Sequence, residues 1–401
     1  MTGDALDALD AELDGAVTVA PPRDAREEHV AAEFALFAPV TVAELTTRGE
    51  PVAPLFRRRT AQEAEPGELL LPAGEVCLVA GAGNVGKTTF LAALIVSIAT
   101  GRPVLGQLHP EHAGRVLVVV VEEQRALLLA KLDDAAARLD VPHDEARRLI
   151  AERVTVRCGG GRLSLLEEVT ATETVGAGLT VRRVVGEATP FAEAMRRHLD
   201  APSAPGVLPW RLVVLDPLSR LYTGNENDNG AAARFVNACE ALRDTRCRPA
   251  VLVAHHVAKG TGGARGASAF VDNSRAALRL TATDPDRLDE APDNLIADYR
   301  TRHRGVLVEV AKSNYGRTLF AGAPPVRLRI AEEHGRVAMR PETAVELDLR
   351  TRAENAIAAA TSSTRGGAGA SAKGNSAPLA DGAVAGLLAS AKAKAPNGRA
   401  Q

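Results

Sequence analysis

Aromatic side chains are scarce in this 401-residue chain: 8 Phe, 3 Tyr and 1 Trp make up 3% of it. Cysteine is scarcer, with Cys77, Cys158, Cys239 and Cys247 its 4 representatives. None of them forms a Cys-x-x-Cys pair, so the sequence offers no zinc-type spacing. They read as reduced cytosolic thiols, mostly in the core. The formal net charge is only -2. That removes whole-molecule attraction to a polyanion and leaves any such contact to a local patch. The longest apolar stretch is too short to span a bilayer, and no segment resembles a signal peptide. A soluble cytoplasmic protein with no membrane partner is expected.

What is present is 46% hydrophobic and rich in Ala, Arg and Gly. Residues 1–50 are predicted as an acidic, partly disordered segment, broken by Pro21-Pro22. Residues 361–401 form an Ala, Gly, Ser and Lys tail that cannot bury enough apolar area to order itself. Between them, residues 51–350 read as one α/β domain. Arg115–Val121, Arg211–Leu215 and Ala250–Ala254 are continuous apolar runs, separated by helical patterns over Gln124–Leu139 and Ala231–Leu242. Unalternating strands between helices predict a parallel sheet covered on both faces. Ala276–Leu280, Val306–Ala311 and Val326–Ile330 read as strands joined by short turns, which predicts an antiparallel end to the sheet. The glycine-rich segment 159–188 reads as an inserted hairpin.

One motif dominates. Gly81-Ala82-Gly83-Asn84-Val85-Gly86-Lys87-Thr88-Thr89 follows the apolar run Val76–Val79 and precedes the apolar helical pattern Phe90–Ala99. Strand, Gly-x-x-x-x-Gly-Lys-Thr and helix in that order form the phosphate-binding loop of a P-loop nucleotide hydrolase. Glycines at 81, 83 and 86 let backbone N–H groups approach phosphate oxygens. The helix adds its positive N-terminal dipole. Lys87 reaches the β- and γ-phosphates of ATP, and the Thr88 hydroxyl ligates Mg²⁺.

A second acidic element must hold the metal. Asp216 ends the strand Arg211–Leu215, the pattern of four apolar residues followed by Asp. Glu122 and Glu123 end the strand Arg115–Val121, which this reading sets beside the P-loop strand. Glu122 is the preferred group to polarise the attacking water. Glu123 reads equally well as a helix N-terminal acid favoured by the dipole. His255 and His256 end the strand Ala250–Ala254, beside that of Asp216. At least one of them is expected to sense the γ-phosphate, and no further ligand at helical spacing makes them a metal site.

These residues occur in order with Leu215-Asp216-Pro217-Leu218 and Arg220, His255-His256-x-x-Lys259-Gly260, Arg265-Gly266-x-Ser268, Asp272-Asn273-x-Arg275 and Lys312-x-Asn314-Tyr315-Gly316. The set resembles the plasmid and phage RepA-type ATPases, hexameric replicative helicases with a RecA-like core. The resemblance spans about residues 70–330. It implies an α/β RecA-like P-loop fold, mostly parallel with antiparallel strands at the C-terminal end, using ATP and Mg²⁺. It implies phosphate and metal roles for Lys87, Thr88 and Asp216, catalysis by Glu122, and γ-phosphate sensing by His255 and His256. It also implies an arginine finger at Arg275, or second at Arg265, that reaches the neighbouring subunit in a ring of six. The implied activity is DNA unwinding or translocation on single-stranded DNA in the replication of a mobile element. A regulatory or loader ATPase, or a recombination-type DNA-binding ATPase without unwinding, fits the same motifs.

Two loops are expected to meet DNA. Pro217–Gly230 carries Arg220 but also Glu226 and Asp228, with Tyr222 its single aromatic stacker. Val257–Ser268 carries Lys259 and Arg265 among glycines, which predicts salt-dependent, sequence-neutral binding.

Overall fold

The structure, a computed structural model, describes residues 52–59, 68–159, 163–175, 179–225, 228–257, 265–283, 303–315, 325–333, 336–348, 351–352 and 355. The acidic head (1–50) and the Ala/Gly/Lys tail (361–401) lie outside these. The chain divides into two compact units, Met1–Ala53 and Pro54–Gln401, and the second carries the elements below.

Its centre is a nine-stranded sheet built on β3 (Val76–Gly81), which is buried throughout. β3 is flanked on one side by β10 (Ala250–His256), β9 (Trp210–Asp216), β5 (Arg115–Val120) and β6 (Val154–Cys158), all parallel. On its other side β11 (Ala276–Ala282) is parallel to it. β12 (His303–Ser313), β13 (Val326–Glu333) and β14 (Arg336–Pro341) then continue antiparallel. The expected antiparallel end is therefore present. The segment joining β11 to β12 is longer than the short turn expected there.

Strand alternation gives the sheet two apolar faces. Cys77 and Val79 of β3 join Val116, Val118 and Leu252 on one face, with α1 (Lys87–Thr100), α2 (Arg125–Ala136) and α3 (His143–Arg153) packed over them. Val76, Leu78 and Ala80 join Leu117, Leu215 and Val253 on the other, beneath α4 (Pro190–Asp200), α5 (Leu218–Leu221), α6 (Asn229–Arg243) and α7 (Arg265–Asn273). Helix α1 is apolar nearly all round because it is buried on nearly every side. Phe90, Leu91, Leu94, Ile95 and Ile98 are each 0–1% exposed, and burying a side chain of that size contributes about 1.5–3 kcal/mol. The helix stops at Gly101, whose φ of 73° closes the last turn by donating to the Ser97 carbonyl at 2.8 Å.

Two smaller sheets complete the described fold. β1 (Pro54–Arg58) pairs antiparallel with β2 (Glu68–Pro72) and β4 (Leu108–Pro110). β7 (Leu166–Val175) and β8 (Leu179–Ala188) form an antiparallel two-stranded sheet within the segment 159–188. The strand order also corrects one expectation. β5 does not lie beside the P-loop strand, because β10 and β9 are inserted between them. The chain leaves β3 through α1, lands on β5, steps outward to β6 and returns inward through β9 and β10. This reversal leaves a crevice at the carboxyl ends of the strands, the position at which open α/β sheets bind ligands. The four cysteines are free, with Cys77 and Cys239 buried and Cys158 and Cys247 half-buried.

Candidate active site

Register brings four strand tips level. His256 pairs with Gly81, Val253 with Leu215, and Val120 with Asp216. The loop from Gly81 to Gly86 rises from the first of these tips. Gly86 takes a φ of 98°, and a Cβ there would stand 2.4 Å from Ile330 Cδ1, so a larger residue would strain the backbone and collide. Gly81 is constrained by packing, since its Cβ would meet the Leu280 carbonyl oxygen at 2.8 Å. The other left-handed residue of the loop is Asn84 at φ 62°. Gly83 meets nothing within 4 Å, so any need for glycine there lies with a ligand's approach.

Lys87, the first residue of α1, is 4% exposed. Its Nζ donates to the carbonyls of Gly81 and Ala82, at 2.9 Å each. A third contact runs to His256 Nδ1 at 3.1 Å. The ammonium has only protons to give, so Nδ1 accepts and the ring proton sits on Nε2, which faces Glu122 Oε2 at 3.9 Å. Burial lowers the Lys87 pKa, opposed by the charges of Asp216 and Glu122. One residue further on, the Thr88 hydroxyl donates to Asp216 Oδ2 at 2.8 Å. Asp216 is 4% exposed. Burial raises its pKa, against the Thr88 hydrogen bond and the charge of Lys87. A hydroxyl and a buried carboxylate held together at a phosphate loop are oxygen donors of the kind a hard divalent cation takes. A carboxylate strained by desolvation is relieved by such a charge. The residues therefore fit Mg²⁺ arriving with a triphosphate.

A cleft of about 630 Å³ opens over this pair. It is lined by Asn84, Gly86, Lys87, Thr88 and Thr89 of the loop and helix start, by Asp216 and His256, by Glu122, Glu123, Leu127 and Lys131, and by Ile330. Glu122 is held by Arg220, whose Nε donates to Oε1 at 2.9 Å. Glu123 is paired with Lys131 of α2.

Several expected site residues fall elsewhere. His255 points to the opposite face, because successive strand residues alternate. It is 2% exposed, and its ring packs 5.3 Å from that of Phe270, so it does not reach the cleft. Tyr222 is not an exposed stacker. It is 4% exposed and packs edge-on against Phe235 and Phe270 at 5.6 and 6.0 Å, and burial pushes its hydroxyl pKa up to about 12. Arg275 lies at the other end of the sheet from the loop. Its N–H donates to the Val76 carbonyl at 3.0 Å, the length of β3 away from Gly81, or roughly 17 Å at about 3.3 Å per residue. There the two late motifs meet. Lys312 Nζ donates to the Asp272 and Ser274 carbonyls, and Asn314 N–H to that of Arg275. Arg265 opens α7, and Lys259 lies outside the described residues.

Other residues of the cleft had no assignment from sequence. Lys131 of α2 pairs with Glu123, which precedes the helix, so no i,i+4 spacing announced the contact. Ile330 is far along the chain and had no local signal.

The loop, the Thr88–Asp216 contact and the strand order define a P-loop nucleoside triphosphatase. The chain belongs to the AAA domain family, which residues 37–262 match, and it is an ATPase. That match contains the loop, both glutamates, Asp216 and both histidines, and ends before Arg265 and Arg275. Among solved structures the chain is similar to the ATPase domain of another protein. The identity is 12% and the TM-score 0.42, over 67% of this chain and 85% of that one. Among the described residues no helix is long and apolar enough to cross a membrane.

Proposed function

We propose that this ATPase assembles into a ring, with six subunits as the expected number, and moves along single-stranded DNA as a RepA-type helicase in the replication of a mobile element. The observation that carries the reading is the separation of Arg275 from its own cleft. An arginine at the far end of the sheet does not serve the nucleotide of its own subunit. That separation supports a role toward the nucleotide of a second copy, in the manner of an arginine finger supplied in trans.

Within each cleft the contacts support these roles. Lys87 exchanges the carbonyls of Gly81 and Ala82 for β- and γ-phosphate oxygens. Thr88 and Asp216 would hold Mg²⁺, which when bound would neutralise phosphate charge. Glu122 orients a water molecule and takes its proton as the water oxygen bonds to the γ-phosphorus and the bond to the bridging oxygen breaks. His256 spans Lys87 and Glu122, and so senses loss of the γ-phosphate. ATP turnover measured with and without oligo-dT, with the mass in solution and unwinding of a forked duplex, tests the reading. Absence of both DNA stimulation and unwinding defeats it.

A second reading is an ATP-driven regulator or loader that does not unwind DNA. Its support is the loop after Asp216, where Tyr222 is buried and the one cation, Arg220, is engaged by Glu122. ATP-dependent assembly without DNA stimulation favours it.

A further inference from the structure

The Glu122 carboxylate, part of the cleft lining, is already engaged from outside. Arg220 Nε donates to Glu122 Oε1 at 2.9 Å, while Glu122 Oε2 faces His256 at 3.9 Å. Arg220 belongs to α5, which begins two residues after Asp216. That short turn is a fixed peg. Leu218 and Leu221 are each 0% exposed, and the Leu221 carbonyl accepts from Leu165 N–H at 3.0 Å. From this peg the guanidinium projects into solvent, its side chain 62% exposed against 44% for Glu122. The cleft wall, among the described residues, does not include Arg220. Its effect on the reaction therefore passes through Glu122.

Sequence adds a second fact. Arg220 is the only Lys or Arg from Pro217 to Gly230. A phosphate polymer that meets this loop has one cation to bind, and that cation is the partner of Glu122. Guanidinium binds phosphate and carboxylate through the same planar fork, so the two compete. A carboxylate oxygen that accepts a charged hydrogen bond from Arg220 is less free to turn toward water and take its proton.

We propose that Arg220 is a restraining latch on Glu122, which single-stranded DNA releases by drawing the guanidinium away. The proposal rests on the ATPase and DNA readings above and adds the link between them. It makes Arg220 a positioning residue whose removal speeds the enzyme. The size of the effect is bounded by the strength of an exposed ion pair, which restrains a step by roughly two- to fivefold.

The test compares ATP turnover by the full chain and its Arg220→Gln and Arg220→Lys variants, with and without oligo-dT. Thermal melting confirms that the exposed substitutions leave the fold intact. We expect Arg220→Gln to raise kcat without DNA by roughly two- to fivefold, to leave KM for ATP unchanged, and to respond no further to DNA. Arg220→Lys, which keeps the charge and loses the fork, falls between. Added salt speeds the DNA-free wild type and leaves Arg220→Gln unaffected, because only the former has an ion pair to screen. A DNA-free rate for Arg220→Gln at or below wild type overturns the latch, as does a wild-type degree of DNA stimulation in that variant. A wild type that ignores oligo-dT, beside a faster Arg220→Gln, overturns release by DNA and leaves the ATPase assignment standing. Release by oligo-rU but not oligo-dT overturns the choice of DNA. A wild type with no ATP turnover under any condition defeats the ATPase reading itself.

Discussion

His255 and His256 are consecutive and face opposite sides of the sheet. The first packs on Phe270 in the core, at 5.3 Å between rings. The second meets Lys87 at 3.1 Å beside the phosphate loop. One is a stability element and the other belongs to the cleft, and they separate experimentally.

Burial, then the charges of His256 and Lys87, lower the His255 pKa to about 4 from its ordinary 6.5. Between those values the unfolded chain binds a proton that the folded chain refuses, so stability rises with pH there. Acidification from pH 6.5 toward 4 removes about 1.4 kcal/mol per pH unit through this residue, and nothing above that window. His255→Leu abolishes that part of the slope. Urea unfolding at pH 7, 6 and 5 checks it, and equal slopes in the two proteins contradict it.

Asp216→Asn keeps the shape of the Thr88 contact and removes the charge. ATP turnover is expected to fall by about 100-fold or more, the scale for losing one aligned electrostatic group. Thr88→Ser, which keeps the hydroxyl, is expected to retain most of the activity. A steady-state titration with magnesium reads both. Full activity of Asp216→Asn at ordinary magnesium contradicts the assignment.

Glu122→Gln is expected to bind ATP as wild type and to hydrolyse it about 10²–10⁴-fold more slowly, the usual contribution of a general base. Nucleotide binding by fluorescence and single-turnover hydrolysis separate the two effects. Loss of binding, or hydrolysis at the wild-type rate, contradicts the role.

Arg275→Ala is expected to lose turnover by about 10³-fold or more, the scale for an arginine supplied in trans. Mixed with Lys87→Ala, it regains activity, because each Lys87→Ala subunit lends its Arg275 to an intact neighbouring cleft. Normal turnover by Arg275→Ala alone, or a mixture that stays inactive, removes the trans role.

The residues that announced themselves in the sequence were those whose chemistry is local. Gly81 to Thr88 form one continuous loop, and Asp216 ends an unbroken apolar strand, so both could be read along the chain. The parallel core was legible for the same reason, since β5, β9 and β10 are continuous Val/Leu runs. Strand order was not legible. Nothing in Arg115–Val120 says that two strands intervene before β3, because that order is set by which helix covers which face. β6 went unread because its Val154–Cys158 run alternates in burial as a half-exposed edge strand. The facing of His255 follows from a period of two, but the starting phase is fixed only by the packing of Val251 and Val253. The Glu122–Arg220 contact joins residues 98 apart, and no spacing rule reaches that far.

The central claim is that one cleft holds ATP with its metal, Lys87 on the phosphates and Thr88 and Asp216 on Mg²⁺. Phosphate release from ATP by the purified chain, measured against magnesium concentration beside Lys87→Ala, tests it most directly. The account predicts magnesium-dependent turnover in the wild type and its loss in the variant. Equal rates in the two proteins, or turnover indifferent to magnesium, would contradict it.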